Sequence, residues 1–210
     1  MSTRLDDWFG DGERFGDPSV SEAQLPRSFF ARPVLDVARD LIGSTVLVDG
    51  IGGLIVETEA YSHEDPASHS FRGRTARNAS MFGPPGRAYV YLSYGMHWCM
   101  NFVCGRDSLG SGVLIRAIEP IAGLSAMRAR RGVEDARLLC SGPGRLCQAL
   151  AVTRKEDGLP LDEAPFRLLR RLKEPEILVG PRIGITQAPD KPWRFGLAGS
   201  AFVSRPFRTA

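Results

Sequence analysis

Apolar residues near the start of the chain follow the period of an α-helix. The run begins at Pro33 and Gly43 follows it, and its apolar members are Val34, Leu35, Val37, Ala38, Leu41 and Ile42. Proline is favoured in the first turn of a helix and glycine just beyond its end. The spacing therefore predicts a helix over residues 33–42.

Two β-rich runs come next, and apolar and polar residues alternate along the second. Residues 45–48 and 54–61 are separated by Asp49-Gly50 and Gly52-Gly53, which is typical of a hairpin. In the second run Glu57, Glu59 and Tyr61 share one face. We expect one face to pack and the other to carry chemistry, although a solvated strand face accounts for the same alternation.

The later part of the chain has similar short elements. Residues 87–93 and 97–103 alternate around Tyr94-Gly95-Met96, which predicts a second hairpin, and residues 113–118 form an apolar run that contains Arg116. The pattern further predicts a helix from Pro120 to Arg131, a helix capped by Ser141 that reaches Leu150, and strands at 182–186 and 194–198. Residues 62–87 have little periodicity, and irregular stretches this long are usually functional or disordered.

Hairpins joined by short turns indicate an α+β fold. We expect a single domain with a curved, mostly antiparallel β-sheet, surrounding helices and a protruding β-hairpin. Residues 1–25 are acidic and lack a period, so we expect a poorly ordered N-terminal tail there and the folded domain at 26–210.

The distribution of charge along the chain indicates what kind of partner the protein binds. The net charge is +3, but residues 1–25 sum to −4, and residues 70–145 sum to +7 with eleven arginines against four acids. Such a patch fits a polyanion, whereas scattered surface arginines are the alternative. We take Arg72, Arg74, Arg77 and Arg145 as candidates to contact a nucleic-acid backbone.

Composition also limits the class of protein. The apolar runs are too short to span a membrane, and the N-terminus lacks the pattern of a signal peptide, so we expect an intracellular protein without membrane contact. The spacing of Cys99, Cys104, Cys140 and Cys147 matches no zinc site. We expect reduced thiols, no metal and no cofactor.

Five blocks of sequence together resemble one known family. They are Glu57-Thr58-Glu59-Ala60-Tyr61, residues 69–78, residues 89–96 with Asn101, residues 114–120 and residues 141–150. In this order they resemble the alkyladenine (3-methyladenine, methylpurine) DNA glycosylases, and the resemblance extends from about residue 33 to residue 204. It implies a monofunctional base-excision glycosylase that flips alkylated or deaminated purines out of duplex DNA and hydrolyses the N-glycosidic bond.

The resemblance also implies roles for single residues. Glu59 would be the general base that activates water, and Arg116 would hold that water beside it. The base-binding pocket would be formed by Tyr61, His69, Tyr91 and Asn101. At the hairpin tip Tyr94 would intercalate in the duplex, with Met96 as a second wedge. The expected partner is double-stranded DNA with damaged purines, bound by a monomer.

Elementary chemistry agrees with these roles. An alkylated purine already carries positive charge and leaves readily, so one carboxylate can suffice where ordinary glycosidases need two. A lyase would need an amine nucleophile, and the only lysines, Lys155, Lys173 and Lys191, lie downstream of every candidate pocket residue. We therefore expect no strand cleavage.

Two other functions use parts of the same pattern. A non-catalytic DNA-damage binding protein could use the basic face and the wedge at Tyr94 without turnover. A nucleoside hydrolase would need the carboxylate but neither the wedge nor the arginine cluster. Glu59, Arg116 and His69 together argue against a pure binder, which has no use for a carboxylate that positions water.

Overall fold

The structure is a computed structural model that describes residues 23–106 and 108–207. The predicted tail therefore lies almost entirely outside the described residues, since only its last three positions fall within them. Those positions are attached to the fold: Leu25 is buried in the core, and its backbone N–H donates to the carbonyl of Leu168 at 2.9 Å.

Short helices and longer strands alternate along the described chain. In order they are α1 (Arg27–Phe30), α2 (Val34–Asp40), β1 (Thr45–Val48), β2 (Ile51–Tyr61), a 3-10 turn (Ala79–Phe82), β3 (Ala88–Ser93), β4 (His97–Cys104), β5 (Ser111–Ala122), α3 (Leu124–Arg131), α4 (Ala136–Leu139), α5 (Pro143–Leu150), a second 3-10 turn (Arg154–Glu156), β6 (Phe166–Leu169), β7 (Ile177–Gly180) and β8 (Arg194–Leu197).

The strands form one sheet with antiparallel pairing throughout the described residues. The strand order is β3-β4-β5-β2-β1-β6, and β8 pairs with both β2 and β7. Two register irregularities lie between Ile55 and Thr58 of β2, opposite β5. Such bulges bend a strand and increase its twist, so they help the sheet to curve at the residues that carry the candidate carboxylates. The expectation of an α+β domain with a curved antiparallel sheet is confirmed.

Close approach of strands explains two glycines in β2. The sequence predicts Gly52 and Gly53 as part of a turn, but both are strand residues. A Cβ on Gly52 would lie 1.9 Å from the carbonyl oxygen of Val46, and one on Gly53 would lie 1.9 Å from that of Glu119. Only glycine fits where the neighbouring backbones come this near.

The helices cover one face of the sheet, and the core lies between them. Alternate residues of β3 and β4, such as Val90 and Phe102, pack in one cluster with α2 and α5. The intervening residue Tyr89 points to the other face, where it packs with Met81 and Val103. Thr58 faces the helices, since its hydroxyl donates to the carbonyl of Ala38 at 2.8 Å.

Three boundaries differ from the prediction. Pro120 lies within β5 and does not begin a helix; α3 begins at Leu124. Gly142 occupies the cap position of α5 in place of Ser141. The strand predicted at residues 182–186 is irregular chain, and the strand lies earlier, at Ile177–Gly180.

Candidate active site

A cleft of ≈ 1130 Å³ opens on the face of the sheet that the helices leave uncovered. Alternate side chains of a strand point to one face of the sheet, and four neighbouring strands line the floor and wall of the cleft in this way. The lining residues of these strands are Tyr61, Tyr89, Tyr91, Ser93, Cys99, Asn101, Leu114 and Arg116. Parts of the irregular loop at 67–81 and residues 183–185 complete the walls. This volume lies slightly above the range of about 300–1,000 Å³ that is usual for ligand pockets.

Glu59 lies directly beneath this lining and is completely buried. Its Oε2 accepts a hydrogen bond from the Tyr61 hydroxyl at 2.8 Å. Its Oε1 accepts the backbone N–H of Ile183 at 2.7 Å and lies 3.2 Å from Arg116 Nη1. Each carboxylate oxygen can accept two hydrogen bonds. Oε2 accepts only the hydrogen bond from Tyr61 among the described residues, so it can accept one more. Since Tyr61 lines the cleft, Oε2 is the carboxylate oxygen nearest to that lining residue.

Arg116 joins the two carboxylates of β2. Its Nε donates to Glu57 Oε1 at 3.0 Å, while its Nη1 faces Glu59. Burial acts to lower the pKa of Arg116, but Glu59 and Glu57 more than offset it and raise the pKa above its ordinary value. Both carboxylates are fully buried, so the solvated-face interpretation of this strand is wrong. An arginine in an apolar strand needs such a partner.

Stacked rings form the aromatic wall of the cleft. Tyr89 and Tyr91 stack with ring centroids 5.4 Å apart, and His69 meets Tyr91 edge-on at 4.5 Å. The Nδ1 of His69 lies 2.9 Å from the Tyr89 hydroxyl, a hydrogen bond whose direction depends on the imidazole tautomer. Burial lowers the pKa of His69 and raises the pKa of Tyr89 and Tyr91. At neutral pH the wall therefore presents uncharged rings.

Two asparagines shape the cleft, and the sequence prediction included one of them. Asn101, buried on β4, donates from Nδ2 to the carbonyl of Tyr89 at 3.2 Å. Asn78 was missed. Its Nδ2 donates to the carbonyl of His69 at 2.9 Å, and its Oδ1 accepts the backbone N–H of Thr75 at 2.6 Å. A buried asparagine at the end of an arginine-rich loop was the feature that could have identified it.

The hairpin between β3 and β4 carries two exposed apolar side chains at its tip. Tyr94 is 86% exposed and Met96 71% exposed. Tyr94 has a φ of 50°, a left-handed conformation that is uncommon for a residue with a side chain, and Gly95 follows at 69°. Next to the tip α5 comes close to the hairpin, since a Cβ on Gly144 would lie 2.9 Å from that of His97.

The predicted backbone-binding arginines are divided in position. Arg72, Arg74 and Arg77 are exposed in the loop beside the cleft, and Arg72 and Arg77 line it. Arg145 lies on α5, where it is exposed and donates to the hydroxyl of Ser141 at 3.2 Å. The cleft also has Arg154 in its lining, which the sequence interpretation did not include.

A buried arginine that the sequence interpretation missed supports Tyr61 from behind. The guanidinium of Arg182 lies 4.7 Å from the ring centroid of Tyr61 and 5.2 Å from that of Trp193. It forms a buried ion pair with Asp65 and donates to the carbonyl of Ala60 at 3.0 Å. Because Ile183 follows it directly, this anchor also places the N–H that contacts Glu59.

Other chemistry finds little support in the described part of the chain. Among residues 23–106 and 108–207, no group of three His, Cys, Asp or Glu side chains could hold a metal ion. The four cysteines are free and buried, and burial raises the pKa of each thiol, to about 12 for Cys140. No helix of the described residues is long and apolar enough to cross a membrane.

Comparison with known proteins identifies the family. A family model described as methylpurine-DNA glycosylase (MPG) matches residues 28–201. A protein of Rhodopseudomonas palustris (strain HaA2) is 62% identical over 191 residues, which cover 91% of this chain and 95% of that protein. Relatives in Nitrosospira multiformis and Rhizobium meliloti (strain 1021) are 61% and 64% identical, covering 87% and 85% of this chain and 95% of each relative.

All three relatives carry the name "Putative 3-methyladenine DNA glycosylase". The family match covers every residue that lines the cleft, and it also covers both glutamates of β2 and the hairpin. The chain therefore belongs to the methylpurine-DNA glycosylase family of DNA-repair hydrolases, which act on alkylation damage.

Proposed function

We propose that the protein is a monofunctional glycosylase that flips a damaged purine out of duplex DNA into the cleft and hydrolyses its N-glycosidic bond with a water activated by Glu59. The substrates would be 3-methyladenine, 7-methylguanine, ethenoadenine and hypoxanthine. One observation carries the proposal: a buried carboxylate lies beneath an aromatic cleft with one acceptor position of Oε2 uncommitted among the described residues.

The chemical step follows from this geometry. As the bond between C1′ and the purine nitrogen breaks, the base leaves with the electron pair and positive charge develops on the sugar. Glu59 accepts a proton from water, and the hydroxide oxygen bonds to C1′. The carboxylate also stabilises the developing charge electrostatically. Arg116 and Ile183 hold Oε1, so they orient the carboxylate while Oε2 serves the water.

Base recognition would rest on the aromatic wall. A purine stacks on uncharged rings such as Tyr91 and His69, and a cationic lesion gains further from facing aromatic π electrons. Tyr61 would contact the base from the other side while it holds Glu59. Asn101 would form the pocket wall that disfavours the exocyclic amine of ordinary guanine.

Extrusion of the base would use the hairpin. Removing a base from the stack costs a few kcal/mol, and an inserted side chain recovers part of this cost. Tyr94 would enter the gap through the minor groove, with Met96 as the second wedge. The arginines proposed to contact phosphates are Arg72, Arg74, Arg77 and Arg145. The protein would act as a monomer.

The lysines agree with hydrolysis without strand cleavage. Lys191 lies 3.5 Å from Asp65 and 4.1 Å from the centroid of the Trp193 ring, behind the cleft wall. The described lining of the cleft contains no lysine that could form a Schiff base with C1′.

The test is single-turnover base release from end-labelled duplexes that contain hypoxanthine, ethenoadenine, 7-methylguanine or no lesion. Glu59→Gln should keep lesion binding and lose excision by at least about 100-fold, the usual contribution of a general base. Strand breaks should appear only after alkali. Glu134→Gln is the matched control, because Glu134 is exposed and lies outside the cleft lining.

Other results would select another function. Excision by Glu59→Gln at the rate of the unchanged protein would remove Glu59 from the mechanism. Tight lesion binding without release would favour the damage-binding protein, and breaks before alkali would show a lyase. Cleavage of free nucleosides with no activity on duplexes would favour the nucleoside hydrolase.

A further inference from the structure

Glu57, two residues before Glu59, is a fully buried carboxylate that accepts four hydrogen bonds from the described residues. Oε1 accepts Nε of Arg116 at 3.0 Å, Nε of Arg194 at 2.7 Å and the hydroxyl of Ser204 at 2.9 Å. Oε2 accepts the backbone N–H of Ser204. Two of the three partners of Glu57, Arg194 and Ser204, lie outside the cleft lining, whereas Glu59 accepts hydrogen bonds from Tyr61 and Ile183, which line the cleft. Glu57 therefore lies on the side of Arg116 away from the substrate.

The contacts of Arg116 show what Glu57 can do at a distance. The guanidinium is divided among three partners: Nε on Glu57, Nη1 on Glu59 Oε1 and Nη2 on the hydroxyl of Ser204 at 3.3 Å. Glu59 thus meets a single N–H of Arg116. An arginine that is free to turn prefers to place two parallel N–H groups on one carboxylate.

We propose that Glu57 is a positioning residue that anchors Arg116 and thereby keeps Oε2 of Glu59 available to the hydrolytic water. Without the anchor, Arg116 turns its fork onto Glu59 and occupies both oxygens. The inference rests on the proposed function, because it requires Glu59 to be the base.

Charge balance supports the same role. Glu57, Glu59, Arg116 and Arg194 are all buried and sum to zero charge. Loss of the Glu57 charge leaves two buried guanidinium groups with only Glu59 as a carboxylate partner, and buried charges seek compensation strongly. Arg194 has other partners, namely the carbonyl of Arg205 and the ring of Phe207 at 3.8 Å. Arg116 is therefore the cation that moves toward Glu59.

The experiment separates the excision rate from lesion affinity. Single-turnover excision is measured at saturating protein on duplexes with 7-methylguanine or hypoxanthine, and the dissociation constant by fluorescence anisotropy in the Glu59→Gln background. Glu57→Gln should lower the rate by about 10- to 100-fold, as the loss of outer supporting partners does. The dissociation constant should change less than about threefold, because Glu57 does not line the cleft that binds the lesion. A tenfold change would correspond to a loss of about 1.4 kcal/mol of binding free energy.

Two further variants distinguish positioning from a structural role. Glu57→Asp retains the charge and should recover most of the lost rate, and it remains informative if Glu57→Gln does not fold. Arg194→Gln removes another buried partner of Glu57 but leaves the contact of Arg116 with Glu57 in place. It should lower the melting temperature while the excision rate stays within about threefold of the wild-type rate, a barrier change of about 0.65 kcal/mol or less.

Each failure points to a different error. An inactive Glu59→Gln together with a fully active Glu57→Gln overturns only the positioning role. Equal losses of rate in Glu57→Gln and Arg194→Gln, or no recovery in Glu57→Asp, would show that Glu57 acts only in folding. An active Glu59→Gln overturns the proposed function itself.

Discussion

At the scale of single residues, the ion pair between Asp65 and Arg182 links folding to the site. Asp65 is completely buried, and Arg182 lies between the rings of Tyr61 and Trp193. Burial acts to raise the pKa of Asp65, but the hydrogen bond and the charge of Arg182 lower it by more than burial raises it. The pKa of Asp65 therefore lies below its ordinary value. The folded protein thus stabilises the ionised carboxylate.

We predict that Asp65→Asn lowers the free energy of unfolding at pH 7 by about 3–5 kcal/mol, because it leaves a buried guanidinium unpaired. A carboxylate whose folded pKa lies below its unfolded value near 3.8 stabilises the fold above that pH. Its contribution disappears as the pH falls through the folded pKa. The difference between the two proteins should therefore be constant from pH 7 to pH 5 and shrink below about pH 4.

Urea unfolding at several pH values measures this effect. The control is Asp190→Asn, at an exposed acid eight residues after Arg182, and it should leave the free energy of unfolding unchanged. A stability difference that is small at pH 7, or that grows toward pH 3, would contradict the prediction.

At the scale of elements, the proposed wedge at the tip of the β3–β4 hairpin can be tested separately from the proposed chemical step. Its tip residue Tyr94 is 86% exposed and contributes little to the core. We predict that Tyr94→Ala lowers excision from duplex DNA through loss of base–aromatic stacking, worth about 1–3 kcal/mol or roughly 5- to 150-fold. Excision from single strands should fall much less, because no stacked gap needs filling.

The comparison of duplex and single-strand rates for one lesion is the measurement. Tyr94→Phe should retain duplex activity, and Leu138→Ala, at an exposed leucine outside the cleft lining, serves as the control. Equal losses on both substrates would argue against a wedge. Thermal unfolding of Tyr94→Ala should match that of the unchanged protein.

The elements that alternate clearly were predictable from the sequence. The two hairpins, the α2 helix and the common face of Glu57, Glu59 and Tyr61 follow from local periodicity. Pro120 misled, because proline is usual at a helix start. It fits within β5 because β4 pairs only with residues up to Leu114, so the distal half of β5 has a free edge that tolerates a missing N–H.

The segment around Ile183 was wrongly predicted to be a strand because its contacts are with residues far away in the sequence. Its alternation resembles a strand, but Arg182 points inward to Asp65 while Ile183 and Ile185 line the cleft. The partners that hold it irregular lie more than one hundred residues away in sequence. No local pattern contains them, which is also why Arg182 was missed as a site residue.

At the scale of the whole molecule, the arginines between residues 70 and 145 fall into two groups. Several arginines between residues 70 and 145 hold the fold together: Arg130 donates to the carbonyl of Ala149 at 2.8 Å, Arg131 to that of Leu139 at 3.1 Å, and Arg137 pairs with Asp135. The exposed arginines beside the cleft are the ones left for a polyanion. A charge count over sequence cannot distinguish these groups, because only tertiary contacts do.

We predict that lesion-duplex binding weakens steeply with salt and that Arg72→Ala reduces the slope. Each phosphate contact contributes about 0.9 to the slope of log affinity against log salt concentration. The loss of one contact at Arg72 should reduce the slope by that amount. Binding of the Glu59→Gln protein is titrated between low and high salt, so that turnover does not interfere.

Arg137→Ala is the control, since Arg137 already pairs with Asp135 on the same helix turn. It should leave the slope unchanged. A slope near zero for the unchanged protein would argue against phosphate contacts and in favour of a small nucleoside substrate.

The charged cluster behind Glu59 has a consequence for synthesis of the chain. Glu57 and Arg116 are made early, whereas Arg194 and Ser204, which complete the contacts of Glu57, are among the last described residues. A domain generally folds as a unit. The zero net charge of Glu57, Glu59, Arg116 and Arg194 is therefore reached only after Arg194 has been made, so the candidate active site is completed late in the synthesis of the domain.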